Sequence, residues 1–169
     1  MSGEPVTAAE LAVLFEAARW APSSGNSQPW RILYAHRETE HWPLFFDLLS
    51  ARNQVWCRNA AVLLLFISRT AAEQSGRPLV THSYDSGAAW ENLALQGTRR
   101  GFVVHGMAGF DYARAKTSLR IPDGFAVEAM AAIGRPGPVS VLPEDFQARE
   151  TPSGRKPITE LTFEGRYPI

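Results

Sequence analysis

A fold that mixes helices with strands is predicted by two observations on the sequence. Segments with the helical i, i+3, i+4, i+7 apolar spacing alternate with short apolar runs of strand length, and Gly and Pro fall between them. The alternation is irregular, so it fits a parallel α/β sheet or an α+β layered fold, and pattern alone leaves both open. At 169 residues the chain is expected to form one domain with a substantial core.

The elements follow in order. Thr7, with Glu10 three residues on, reads as a capping box opening a first helix whose Leu11, Leu14, Phe15 and Ala18 share one face. Pro22 stops that helix. A loop of small polar residues, Ser23 to Ser27, then leads through Gln28-Pro29-Trp30 into a first strand, Trp30 to Ala35. His41 to Ala51 reads as a second helix with Leu44, Phe45, Leu48 and Leu49 on its apolar side. Ala60 to Ile67 is apolar throughout, which predicts a central strand. Ala71 to Thr81, with Gly76 and Pro78, reads as a surface loop.

From His82 to Arg100 the spacing predicts a long helix with Ala88, Ala89, Trp90, Leu93, Ala94 and Leu95 and few charges. A helix apolar almost all round is buried in the core or against another subunit. Arg99, Arg100 and Gly101 suit its end. A short strand over Phe102 to His105, a tight loop at Gly106 to Gly109, a helix from Asp111 to Leu119 and a strand from Ala126 to Ile133 complete the core elements. The final segment, 139–169, is interrupted by Pro143, Pro152, Pro157 and Pro168. It reads as an arm that packs on a partner subunit, or as a loosely ordered tail.

Composition excludes several classes. Seventeen basic and seventeen acidic residues cancel, which argues against a nucleic-acid or anionic-membrane partner. The start of the chain lacks the basic and apolar regions of a signal peptide, and the longest apolar run is far too short to span a bilayer. The single cysteine, Cys57, rules out an internal disulfide framework and suits a reducing cytoplasm. It reads as a buried small hydrophobe rather than a nucleophile or metal ligand.

The four histidines, His36, His41, His82 and His105, form no H-x-x-x-H pair, so no metal site is expected. Ser83, Asp85 and Ser86 lie near His82 and invite a hydrolase reading. Without a G-x-S-x-G elbow they read instead as helix-start residues. There is no P-loop, and the GMAG loop lacks the G-x-G-x-x-G spacing. What remains is a set that suits a flat heteroaromatic ligand with a polar rim and a phosphate. It comprises backbone N–H groups at Gly106 to Gly109, amides at Asn26, Gln28 and Asn53, and cations at Arg155 and Lys156. Taken singly, each is as readily a turn, a cap or a solvated charge, and the Ser-rich loop is also an ordinary connection from helix to strand.

Four segments carry a resemblance: AARWAPSSGNSQPW (17–30), SYDSGAAWENLALQ (83–96), HGMAGFD (105–111) and SGRKPITELTFEGR (153–166). In this order and spacing, over nearly the whole chain, they resemble the nitroreductase family. The resemblance implies an α+β fold with a mostly antiparallel central sheet flanked by helices, formed as an intertwined homodimer. It implies one nitroreductase-like domain over 1–169, with 139–169 as the arm on the partner. FMN would sit at the interface, and NADH or NADPH would reduce it. A small-molecule electron acceptor such as a nitro compound or quinone would then take the same place, by ping-pong hydride transfer.

By position, Pro22, Ser23, Ser24 and Asn26, with Gln28 beside them, match the loop that one subunit presents to the flavin of the other. Asn53 resembles an asparagine that hydrogen-bonds the flavin ring. Met107, Ala108 and Gly109 match the loop whose backbone faces the ring, the Ala108 N–H toward N5. Arg155, with Lys156 as a weaker neighbour, resembles the basic residue that reaches the FMN phosphate. The chemistry is borne by the flavin, so no protein residue is assigned as strictly catalytic. One departure is the start. Family members carry an Arg-rich R-x-S-x-R segment just before the first helix, where this chain opens Met1-Ser2-Gly3-Glu4-Pro5-Val6. The expectation is that this phosphate-binding segment is missing by truncation. A second departure is Trp56, where some members place a lysine near the flavin. The alternatives are a flavin-dependent dehydrogenase or dehalogenase on the same scaffold, and a dimeric flavin-storing or structural protein.

Overall fold

The structure, a computed structural model, describes residues 1–168 and divides into two compact units, Met1–Pro138 and Val139–Ile169. In the first unit the elements run α1 (Ala8–Arg19), β1 (Trp30–His36), α2 (Trp42–Phe46), α3 (Ala51–Cys57), β2 (Val62–Arg69), α4 (His82–Arg99), β3 (Val103–Met107), α5 (Tyr112–Ser118) and β4 (Phe125–Gly134). The strands form one sheet in the order β1-β2-β4-β3, every neighbour antiparallel. That settles the choice left open by the sequence pattern in favour of α+β.

Local chemistry places most of these elements where the sequence reads them. Thr7 caps α1: its Oγ1 accepts the Glu10 N–H at 3.2 Å, while the Glu10 carboxylate accepts the Thr7 N–H at 2.9 Å. Asp111 caps α5 through the Arg114 N–H. β2 is buried from Val62 to Ser68 because both its faces are covered. One face packs on α1 and α4 through Leu11, Leu14, Val62, Leu64, Phe66, Ala89, Leu93 and Ile133. The other packs on α2, α3 and α5 through Phe45, Cys57, Leu63, Leu65, Ala115 and Met130.

The reading of His41 to Ala51 as one helix is corrected. α2 ends at Phe46, and α3 begins at Ala51 with Ser50 as its cap, the Ser50 Oγ accepting the Asn53 N–H. Leu48 and Leu49 turn into the core at the break, and Leu49 bridges to Phe110. The apolar run satisfies helical spacing, but the Ser50 side chain competes for the backbone and starts a new helix. The long helix α4 buries one stripe: Asp85, Ser86, Ala89, Leu93 and Gly97. Its other side exposes Tyr84 and Leu95. Gly97 allows close approach of β3, since a Cβ there would lie 2.4 Å from Val104 Cγ2. Cys57 is buried, and burial pushes its thiol up to about 12, so it is neutral at physiological pH.

The second unit holds α6 (Glu144–Gln147) between two short 3₁₀ turns, Val139–Val141 and Ile158–Glu160. Gln147 Nε2 donates to the Leu142 carbonyl, and Phe163 meets Tyr167 edge-on.

Candidate functional site

The residues singled out in the sequence fall into three places. The first is the Ser-rich loop. Ser23 Oγ accepts the Gln28 N–H at 3.0 Å, and Gln28 Nε2 donates to the Asn26 carbonyl and Asn26 Oδ1. Asn26 and Gln28 both have positive φ, 54° and 45°, in a turn that Gly25 enters at 57°. Gln28 Nε2 and Asn26 Oδ1 are therefore engaged with each other, while Pro22, Ser24 and Asn26 stay exposed.

The loop is held from below by a residue that sequence reasoning placed only at a helix start. The buried Asp85 carboxylate accepts the Ser24 N–H and the Thr81 hydroxyl, each at 3.2 Å. Its position in the first turn of α4 was legible; its contact 61 positions back along the chain was not.

The second place is a corner between α3 and the end of β3. Asn53 Nδ2 donates to the Gly109 carbonyl at 2.9 Å, and Ser50 N–H to the same carbonyl at 2.9 Å. Asn53 Oδ1 accepts the Trp56 indole N–H at 3.0 Å, and the Trp56 ring lies 4.4 Å from that of His105. A Cβ at Gly109 would fall 2.7 Å from Asn53 Nδ2, so the glycine is required for this approach. Ala108 and Gly109 are exposed, whereas Met107 turns into the core. Asn53, Ala108 and Gly109, distant in sequence, are thus brought together.

The third place is in the second unit. Arg155 is exposed and its Nη1 donates to Ser153 Oγ and to the carbonyls of Ser153 and Gly154. Lys156 beside it is also exposed.

On the other face of the Gly106–Ala108 stretch lies a cleft of about 550 Å³ between α4 and the sheet. Phe66, Trp90 and Met130 give it apolar walls, and Ser83, Ser86 and Glu128 give it polar ones. Ser86 Oγ is buried there without a partner among the described residues. Glu128 sits at an irregularity in β4: Phe66 pairs with Ala129 and Ile67 with Val127, which leaves Glu128 as an extra residue. Strict alternation from Met130 would send it to the α3 and α5 side. The bulge turns it to α4 instead, where Oε1 accepts the hydroxyls of Ser68 and, at 2.8 Å, Ser83.

His82 Nδ1 lies 2.7 Å from Ser68 Oγ and 3.4 Å from Glu128 Oε1. These groups do not make a hydrolase triad. Ser68 is fully buried, so it cannot reach a substrate, and the carboxylate holds the serine rather than the far side of the imidazole. Among the described residues no group of three or more His, Cys, Asp or Glu could hold a metal ion, and no helix is long and apolar enough to cross a membrane.

Comparison with known proteins places this geometry in context. A family model described as the nitroreductase family matches residues 2–53. A solved structure described as an oxidoreductase containing FMN is 46% identical, with a TM-score of 0.94, covering 99% of this chain and 86% of its own. A nitroreductase family protein of Streptococcus pneumoniae TIGR4 shares the fold at a TM-score of 0.76, with 20% identity over 96% of this chain and 92% of its own. A Mycolicibacterium smegmatis protein, described as an uncharacterized 15.4 kDa protein in the ask 5′ region, is 28% identical over 120 residues, 70% of this chain and 80% of its own.

Proposed function

We propose that this chain, a member of the nitroreductase family, is an FMN-dependent oxidoreductase that uses NADH or NADPH to reduce a small acceptor such as a nitro compound or quinone. The observation that carries the reading is the corner at Asn53 and Gly109. Asn53 Nδ2 and the Ser50 N–H hold the Gly109 carbonyl there, and the backbone of Ala108 and Gly109 is left exposed as an edge on which a planar ring with a polar rim would lie. The 46% identical relative is described as containing FMN. A homodimer, in which the Ser-rich loop of one subunit reaches the corner of the other, would complete the site.

Arg155, with Lys156 as a weaker neighbour, would supply charge to the phosphate from the 139–169 arm. FMN, when bound, supplies the hydride chemistry. The chain's part is to bind it, to orient it through Asn53 and the Ala108 N–H, and to leave one face open for reductant and acceptor in turn.

The test is a fluorescence titration of the purified chain with FMN, followed by anaerobic addition of NADH or NADPH. Saturable quenching and bleaching of the flavin band are expected. Arg155→Ala should weaken FMN by about ten-fold, because a hydrogen bond to a charged group contributes about 1.5–3 kcal/mol. An absence of saturable quenching would refute the reading. Flavin bound but reduced by neither nucleotide would point to a flavin-storing protein of the same fold.

A further inference from the structure

We propose that Trp56 is a positioning residue: by occupying the side-chain oxygen of Asn53 it makes the corner at Gly109 a surface of hydrogen-bond donors, which selects a ring edge that carries acceptors. The selection rests on the flavin reading above; the fixed amide rests on geometry alone. An asparagine amide has one oxygen that accepts and one nitrogen that donates two protons. At Asn53 the oxygen is taken by the Trp56 indole N–H at 3.0 Å, and one amide proton goes to the Gly109 carbonyl at 2.9 Å. Turning the amide over would set Nδ2 against the indole N–H, donor against donor. It would also set Oδ1 against the Gly109 carbonyl, acceptor against acceptor. Both bonds would be lost, so the amide has one orientation. An indole N–H can only donate, so Trp56 cannot adapt to a turned amide as a hydroxyl could. Its ring is half-buried and lies 4.4 Å from that of His105, which holds the donor in place.

The other acceptors of the corner are engaged as well. The Gly109 carbonyl receives a second bond from the Ser50 N–H at 2.9 Å, the Ser50 Oγ accepts the Asn53 N–H at 3.4 Å, and the Ala108 carbonyl accepts the Phe110 N–H at 3.0 Å. The donors are not. The second proton on Asn53 Nδ2 and the backbone N–H groups of Ala108 and Gly109 have no acceptor among the described residues, and Ala108 and Gly109 are exposed.

A surface of this kind discriminates by chemistry. A ring carbonyl or an unprotonated ring nitrogen satisfies the free Asn53 proton. A ring N–H or amino group sets donor against donor and leaves both without a partner. The pyrimidine edge of FMN offers two carbonyl oxygens on either side of one N–H, so Asn53 is a partner for a carbonyl oxygen and not for that N–H. Phenylalanine at position 56 would keep a ring against His105 but release Asn53 Oδ1, and the amide would then be oriented by Gly109 alone.

Two measurements decide the matter. In the flavin-free chain, solvent exchange of the Trp56 indole proton, followed by NMR, should be slow in the wild type. It should stay slow in Asn53→Asp, whose carboxylate still accepts the proton, and become about five-fold faster in Asn53→Ala. In titrations with FMN, 2-thio-FMN and 4-thio-FMN, the ratio of the analogue's Kd to that of FMN reads the acceptor at the Asn53 proton, because sulfur accepts more weakly than oxygen. For one of the two analogues the ratio should be about five in the wild type and fall toward one in Asn53→Ala and in Trp56→Phe. A Trp56 that only filled space would lower stability in Trp56→Phe and leave the ratio where it was. That result, a ratio of one for both analogues in the wild type, or an indole proton that exchanges as fast in the wild type as in Asn53→Ala, overturns the proposal. If the wild type binds neither FMN nor its analogues, the flavin reading fails and the selection with it; slow indole exchange lost in Asn53→Ala would still support the fixed amide.

Discussion

The Ser-rich loop at 22–28 and the Gly106–Gly109 loop are both short, exposed and rich in small residues, yet they are held in opposite ways. The first is tied down by a side chain: the buried carboxylate of Asp85 takes its Ser24 N–H. The second is tied down by its own backbone, with β3 paired to β4 up to Met107 and the Gly109 carbonyl taken by Asn53 and Ser50. A loop fixed by one buried charge depends on that charge. A loop that continues a strand inherits the stiffness of the sheet, and its side-chain contacts only trim it.

The sharpest way to break the comparison is Asp85→Ala. It removes the carboxylate that accepts from the exposed Ser24 N–H and the half-buried Thr81 hydroxyl, two hydrogen bonds to a charged group, and should cost about 2 kcal/mol in urea unfolding. Amide exchange at Ser24 should accelerate, while exchange in β3 stays as it was.

Gly109→Ala attacks the other loop by crowding. Its Cβ would meet Asn53 Nδ2 at 2.7 Å and Ser50 Oγ at 3.1 Å. A loss of about 1–2 kcal/mol is expected, together with a weaker FMN titration. Stability equal to wild type would mean that the corner can yield.

Asn53→Ala should be milder, about 1 kcal/mol, because Ser50 still donates to the Gly109 carbonyl. The Trp56 indole N–H loses its acceptor, which a shift in tryptophan fluorescence would report.

The smallest effect concerns acid and serves as a control remote from both loops. The Thr7 backbone N–H, the Arg135 guanidinium and the Thr7 hydroxyl lower the Glu10 carboxyl from 4.5 to about 2. A depressed carboxyl contributes stability above its ordinary value, and that contribution is lost as pH falls from about 4.5 through about 2. Glu10→Gln should flatten stability against pH in that window and leave Ser24 exchange untouched.

What the sequence by itself determined was local. The capping box at Thr7 and Glu10, the cap at Asp111 and the apolar run of β2 all depend on residues a few positions apart, and each lies where the pattern puts it, whereas β3 runs on through Gly106 and Met107, which the pattern reads as loop. The same locality misled at 41–51. Apolar spacing there does not distinguish one helix from two, and the choice fell to the Ser50 side chain and to the burial of Leu48 and Leu49.

The site residues were legible as types and not as an arrangement. Asn53 and Gly109 meet because α3 packs against the strand that leads to Gly109, and Asp85 finds Ser24 across the packing of α1 on α4. Glu128 read as an ordinary strand residue, because strict alternation cannot register a bulge. Strand pairing alone turns its carboxylate toward Ser68 and Ser83. Hydrogen bonds between residues tens of positions apart exist only once the sheet has set its register. The tertiary structure therefore decided which polar groups face one another, and the sequence decided which were available to do so.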